Sequence, residues 1–266
     1  DSLDQPHGRD PGQSLASFLF MPHTMFVAEF GLEHFDVSMR AQHALTQRFT
    51  AEFSIRPFIE KHTEATLRQL RAWTTDPSAH VRRLVSEGTR PRLPWAPRLR
   101  NFQQDPAPVL ALLELLKDDP ELYVRRSVAN NLNDIGKDHP DLLAKTAKAW
   151  LKGASNERRW IVGHALRSAV KRGESGALDV LGYGKAAQVS VGKPQIKPTR
   201  PAMGATVEIA FEVTNTHAKP QSVLVDFCVH YVKANGQTSA KVFKLKTLEL
   251  APGETAKLAK RLSLAE

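Results

Sequence analysis

Three carboxylates stand out by their surroundings. Between residues 68 and 100 the chain carries eight arginines, at 68, 71, 82, 83, 90, 92, 98 and 100, and no lysine; Asp76 and Glu87 are the acids in that window. Glu87 lies in Leu84-Val-Ser-Glu-Gly-Thr-Arg, and Asp134 in Asn130-Asn-Leu-Asn-Asp-Ile-Gly. Glu52 lies upstream, in Phe49-Thr-Ala-Glu-Phe. Acids set among cations stay ionised, and can hold a developing positive charge or take a proton from a water. Each also has a plainer reading. Glu87 can pair with Arg83 at i,i+4. Asp134 can serve a helix terminus or an asparagine network with Asn130, Asn131 and Asn133. Trp95, in the proline-stiffened Arg90-Pro-Arg-Leu-Pro-Trp-Ala-Pro, is either a fixed indole for a partner or a cover for the core.

The elements that position these groups repeat. Asp76-Pro-Ser-Ala-His-Val81-Arg82-Arg83-Leu84-Val85 aligns with Asp119-Pro-Glu-Leu-Tyr-Val124-Arg125-Arg126-Ser127-Val128, offset by 43 residues. Ser155-Asn-Glu-Arg158-Arg159-Trp160-Ile161-Val162 is a weaker third copy. A period of this size falls in the HEAT/armadillo range, a solenoid of helix pairs. Val124, Val128, Leu132 and Ile135 form one apolar stripe, with Arg125 and Arg126 beside it and able to face outward. Asp-Pro is expected to open each unit, as N-cap and first helical residue. Met25–Gly31, Val37–Phe53 and Thr63–Trp73 are further expected helices.

After Gly182–Ala187 the apolar period changes to two. Val207–Val213, Val223–Tyr231, Val242–Leu250 and Leu258–Leu264 read as strands. Asn215-Thr-His-Ala, Ala234-Asn-Gly-Gln and Ala251-Pro-Gly-Glu read as turns. The expected fold is therefore multidomain, α then β. A flexible tail spans 1–15, a HEAT-like α-helical solenoid spans 16–183, and a small immunoglobulin-like β-sandwich spans 187–266. The single cysteine, Cys228, excludes an intrachain disulfide and a CxxC metal site.

Charge bounds the partner. Lys and Arg number 37 against 28 Asp and Glu, a net +9, which favours a polyanion and nucleic acid first. Paired arginines recurring at one place in each unit, Arg82 and Arg83, Arg125 and Arg126, Arg158 and Arg159, together with Arg90, would follow a line of phosphates; the alternative is a solvated basic face. No run of 18 apolar residues marks a transmembrane helix. No Gly-rich phosphate loop or histidine zinc pair occurs, so no cofactor or metal is expected. The sequence opens at Asp1 without a signal peptide, and N-terminal sequence is expected to precede it.

His80-Val-Arg-Arg-Leu-Val-Ser-Glu-Gly-Thr-Arg-Pro-Arg-Leu-Pro-Trp-Ala-Pro-Arg-Leu and Tyr123-Val-Arg-Arg-Ser-Val-Ala-Asn-Asn-Leu-Asn-Asp-Ile-Gly resemble signature segments of the DNA alkylation repair family built from HEAT-like repeats. Within it they resemble the AlkC-type 3-methyladenine DNA glycosylases, some of which end in an immunoglobulin-like domain. The resemblance covers about 16–183, and the β domain by architecture. It implies base excision repair in the bacterial cytoplasm, near the nucleoid, by a monomer acting on double-stranded DNA with alkylated bases. It implies excision of 3-methyladenine, and of 3-methylcytosine, without membrane attachment. Matched motif by motif, Glu87 and Asp134 are the catalytic carboxylates, Glu52 is a third acid, and Trp95 touches the exposed nucleotide. The reading that competes with this is a non-catalytic HEAT-repeat scaffold for DNA or protein.

Overall fold

The structure, a computed structural model, describes residues 17–183 and 187–264. The tail expected at 1–15 lies outside the described residues. The chain divides into two compact units, Asp1–Ala169 and Val170–Glu266.

The first unit is helical. A short 3-10 turn, Ser17–Phe20, leads into α1 (Met21–Phe30), α2 (Phe35–Thr46), α3 (Arg56–Lys61), α4 (Thr63–Trp73), α5 (Ala79–Gly88), α6 (Arg100–Gln104), α7 (Ala107–Leu116), α8 (Leu122–Asp138), α9 (Pro140–Trp150) and α10 (Asn156–Lys171), the last turn of which falls in the second unit. The stripe Val124, Val128, Leu132 and Ile135 is buried, as are Val81, Leu84 and Val85 at the matching places of α5. Close packing needs two helical glycines. A Cβ on Gly88 would lie 2.5 Å from Ile55 Cγ2, and one on Gly136 would overlap Leu143 Cδ2.

One expected helix is shorter than its apolar pattern. Val37–Phe53 stops at Thr46. Arg48 and Phe49 N–H fold back onto the Leu45 carbonyl, and the Glu52 N–H donates to Thr50 Oγ1 at 3.3 Å. Local hydroxyls offer the backbone a turn in place of another helical turn.

The Asp-Pro segments also differ from expectation. α5 begins at Ala79 with Ser78 as N-cap, and α8 begins at Leu122 with Glu121 as N-cap. Asp76 and Asp119 instead close a turn one step earlier. Asp76 Oδ1 accepts the Ser78 N–H at 2.8 Å, and Asp119 Oδ1 accepts the Glu121 N–H at 2.9 Å. The first arginine of each pair bends back onto the same turn. Arg82 Nη1 donates to the Asp76 and Pro77 carbonyls at 2.8 and 3.1 Å, and Arg125 Nη1 to those of Asp119 and Pro120 at 2.8 and 2.6 Å. Arg82 also grips the next repeat, its Nε and Nη2 reaching Asp119 at 2.6 and 3.1 Å. The third copy breaks the series. Lys152 stands six residues before Arg158 where the other copies have aspartate. Arg125 Nε accordingly has no partner there, and Arg158 Nε donates to Asp118 at 2.6 Å.

Among its described residues the second unit holds α11 (Ser175–Val180) and six strands: β1 (Val189–Val191), β2 (Gln195–Lys197), β3 (Thr206–Asn215), β4 (Gln221–Val232), β5 (Thr238–Leu250) and β6 (Thr255–Ser263). β3 pairs antiparallel with β6 and with both β1 and β2, while β4 and β5 form a second, two-stranded sheet with a bulge at Val225/Asp226. The four longer strands are those the alternation predicts; β1 and β2, three residues each, are too short to carry a period. Val213, Val223, Leu248, Leu250 and Leu258 close the core between the sheets. Gly236 and Gly253, at φ of 76° and 74°, supply the left-handed residues of two of the expected turns. The buried Asn215 side chain works where a disulfide cannot. Its Nδ2 donates to the carbonyls of Leu250, Ala251 and Lys219, and its Oδ1 accepts the His217 N–H.

Arg82 is thus a rivet between successive repeats of the helical unit, and removing it strands a buried carboxylate. Arg82→Met should cost about 3 kcal/mol of stability, read as a lowered midpoint in urea unfolding; an unchanged midpoint would show that Asp119 needs no cation.

Candidate active site

Four segments bring the acids together. α5 places Arg83 and Glu87 one turn apart on the face that meets α8. α8 supplies Ser127, Asn131 and Asp134. The turn before α3 supplies Glu52, and the segment after α5 supplies Arg90. Arg90 is the centre. Its Nη1 donates to Glu87 Oε1 at 2.7 Å, and its Nε and Nη2 each lie 2.8 Å from Asp134 Oδ2. One guanidinium therefore bridges the two acids singled out from the sequence. Ser127 Oγ donates to the other Glu87 oxygen at 2.5 Å, and Lys137 Nζ donates to Asp134 Oδ1 at 2.8 Å.

Arg83 ties in the third acid. Its Nη1 lies 2.5 Å from Glu52 Oε2 and its Nη2 3.6 Å from Glu87 Oε1, the i,i+4 pair foreseen as the plainer reading of Glu87. Thr50 Oγ1 accepts from Arg83 and donates to Glu52. The guanidinium stacks over the Tyr123 ring at 5.2 Å from its centroid. Three acids, Glu52, Glu87 and Asp134, thus meet three cations, Arg83, Arg90 and Lys137, in a cluster where Glu87 and Asp134 are 6% and 1% exposed.

Burial pushes the Glu87 carboxyl up, but Arg83, Arg90 and the Ser127 hydroxyl outweigh it and hold the group below its ordinary 4.5. Burial likewise lowers Arg90, and Glu87 with Asp134 reverse it to a net rise. Burial raises the Tyr123 phenol, partly offset by Arg83, so it stays protonated.

The asparagines do not end α8, which runs on to Asp138. Asn131 Nδ2 donates to the Ser86 carbonyl at 2.7 Å and to Thr89 Oγ1 at 3.1 Å, bracing α5 against α8. Asn133 Oδ1 is buried without a partner among the described residues. Trp95 does not cover the core: it is 98% exposed and has φ of 63°.

The expected phosphate contacts separate into groups. Arg83 and Arg90 point into the acid cluster. Arg82 and Arg125 hold their Asp-Pro turns, and Arg158 pairs with Asp118. Arg126 and Arg159 are exposed, with no side-chain partner among the described residues.

Sequence reading missed Arg56. Its buried guanidinium donates through Nη1 to the Gly88 and Arg90 carbonyls at 3.0 and 2.9 Å, and through Nη2 to the Pro97 carbonyl at 2.5 Å. It fixes the backbone under Arg90 and pins the far side of the Trp95 segment. Burial lowers its pKa to about 10, still leaving it charged at neutral pH. The available signal was an arginine inside the otherwise apolar Ile55-Arg56-Pro57-Phe58-Ile59.

The DNA alkylation repair enzyme family matches residues 47–172, which hold all three acids, and the C-terminal Ig-like domain of YhaZ matches 190–266. The uncharacterized protein YhaZ of Bacillus subtilis (strain 168) is 41% identical over 230 residues, 86% of this chain. The match spans 64% of that relative's length. A solved structure, Pseudomonas fluorescens alkylpurine DNA glycosylase AlkC bound to DNA containing an abasic site analog, is similar with a TM-score of 0.89 at 36% identity, over 98% of this chain and 75% of that one. A helical region and an Ig-like domain after it are thus shared along almost the whole chain, which belongs to the DNA alkylation repair enzyme family, in its AlkC-type form.

Proposed function

We propose that this chain is a DNA glycosylase that hydrolyses the N-glycosidic bond of cationic N3-methylated bases, 3-methyladenine and 3-methylcytosine, in double-stranded DNA. The observation that carries the reading is the convergence of Glu52, Glu87 and Asp134 on Arg83 and Arg90 inside a basic chain. An N3-methylated purine already bears a positive charge. Its departure as a neutral base leaves that charge on the sugar, so the site needs carboxylates beside C1′ rather than an acid for the leaving group.

Asp134 takes the water's proton. Arg90 keeps its Oδ2 occupied, while Oδ1 is shared with Lys137, whose side chain is 36% exposed. Lys137 turning to a DNA phosphate would free Oδ1. The water oxygen then bonds to C1′, its proton passes to Asp134, and the glycosidic electron pair leaves with the base. Glu87 stabilises the charge on lesion and sugar, with Glu52 fixing Arg83 behind it. Trp95 offers its open indole to the exposed nucleotide. Glu87 held ionised is no proton donor, so a neutral purine, which must leave as an anion, is not released.

Asp134→Asn and Glu87→Gln should each lower 3-methyladenine release by about 30- to 1000-fold, equivalent to about 2–4 kcal/mol, with abasic-DNA binding retained. Release at the wild-type rate in both would overturn the assignment; no release by the wild type would favour the scaffold reading. Glu87 contributes to the pH dependence of release through its ionised form. A depressed folded pKa contributes stability and charge above the ordinary 4.5, both lost only as the pH falls through the lower folded value. Ionisation of Glu87 should therefore cause no loss of release at or above pH 4.5, and the single-turnover profile of Glu87→Gln should keep the wild-type shape there.

A further inference from the structure

α8 presents Arg126, Asn130 and Asp134 four residues apart. The stripe runs from solvent inward: Arg126 is exposed, Asn130 half-buried and Asp134 buried. α10 faces it with Trp160, His164 and Arg167, spaced i, i+4 and i+7 on one side of the helix. Asn130 Oδ1 accepts from Arg167 Nη2 at 2.9 Å and lies 3.3 Å from His164 Nε2. Arg167 Nη1 donates to the His164 carbonyl at 2.5 Å. The Trp160 indole lies parallel to the imidazole, 5.0 Å between centroids and 8° between planes, so the ring is held with Nε2 toward Asn130.

The charge here is unlike that of the neighbouring acid cluster. Arg83 and Arg90 each meet two carboxylates, whereas Arg126 and Arg167 have no ion-pair partner among the described residues. The Arg167 guanidinium and the His164 imidazole converge on one neutral amide oxygen, and the exposed Arg126 stands one turn before Asn130 on α8. Burial, with Arg167 and Arg126, depresses His164, and burial depresses Arg167.

We infer that Arg126, Asn130, His164 and Arg167 bind one phosphodiester of the DNA strand, immediately beside Asp134. This rests on the DNA reading proposed above. A phosphate oxygen takes the place now held by Asn130 Oδ1, where Arg167 and His164 already converge, and the amide can turn its Nδ2 to the same group. Arg126 closes the site from solvent. An oxygen at this point fixes the register of the strand one helical turn from the carboxylate that receives the water's proton, so the contact positions the sugar as well as holding the strand.

The test is a charge-deletion cycle. Duplexes with an abasic-site analogue carry a neutral methylphosphonate at one position at a time, and binding is measured for the wild type, Arg167→Gln and Arg126→Gln. Gln at 167 keeps an amide donor for Asn130, and 126 is exposed, so a folding defect in one leaves the other as a readout. For the wild type, one methylphosphonate position beside the lesion should weaken binding about tenfold and lower the salt slope by about one unit. Both variants should be equally weakened on the charged duplex and indifferent to neutralisation at that same position. Losses that add at every position would overturn this site while leaving the glycosylase reading intact. A wild type that binds no duplex would overturn both.

Discussion

The site depends on one buried guanidinium held between two buried carboxylates. Glu87 and Asp134 come from separate repeat units and are almost without solvent. A buried carboxylate without a cation would take up a proton, and two of them nearby would also repel each other. Arg90 removes both difficulties with a planar fork that reaches one acid from Nη1 and the other from Nε and Nη2. Arg56 makes that arrangement definite by fixing the Arg90 backbone from below. The same pairing makes Arg90 costly to lose, because Glu87 would keep only the more distant Arg83 and Asp134 only the half-exposed Lys137.

Repetition and divergence explain how the cluster arose from ordinary parts. Each Asp-Pro turn uses one carboxylate oxygen to close itself, and the first arginine of each pair returns to that turn. The second arginine, one residue on, is turned by about 100° around the helix. It faces the acids in α5 and solvent in α8. Two adjacent and chemically identical residues therefore hold different posts, one structural and one electrostatic.

Much of this was legible. Glu52, Glu87 and Asp134 could be singled out because acids are scarce among so many arginines. The four long strands could be read because apolar residues recur there mostly at every second position, as in Val207–Val213 and Val223–Tyr231, between turn residues. What could not be read follows from direction and distance. Neighbouring arginines have the same composition signal, so Arg82 could not be told from Arg83 without the helix phase. Val37–Phe53 has a helical pattern throughout, yet hydroxyl bonds near Thr50 end the helix early. Arg56 acts on carbonyls more than thirty residues away, and carbonyls have no side-chain signature. Trp95 could be placed in a stiff loop, but whether it pointed in or out depended on a left-handed backbone that tryptophan rarely adopts.

That left-handed indole has an energetic consequence. Both its awkward backbone angle and its wetted ring are costs already met when the chain folds, with Arg56 anchoring the flanking carbonyls against relaxation. Whatever surface covers the ring gains its dehydration without having to freeze a wandering loop. Docking there should carry the negative heat-capacity change of apolar burial with little of the entropic loss that accompanies ordering.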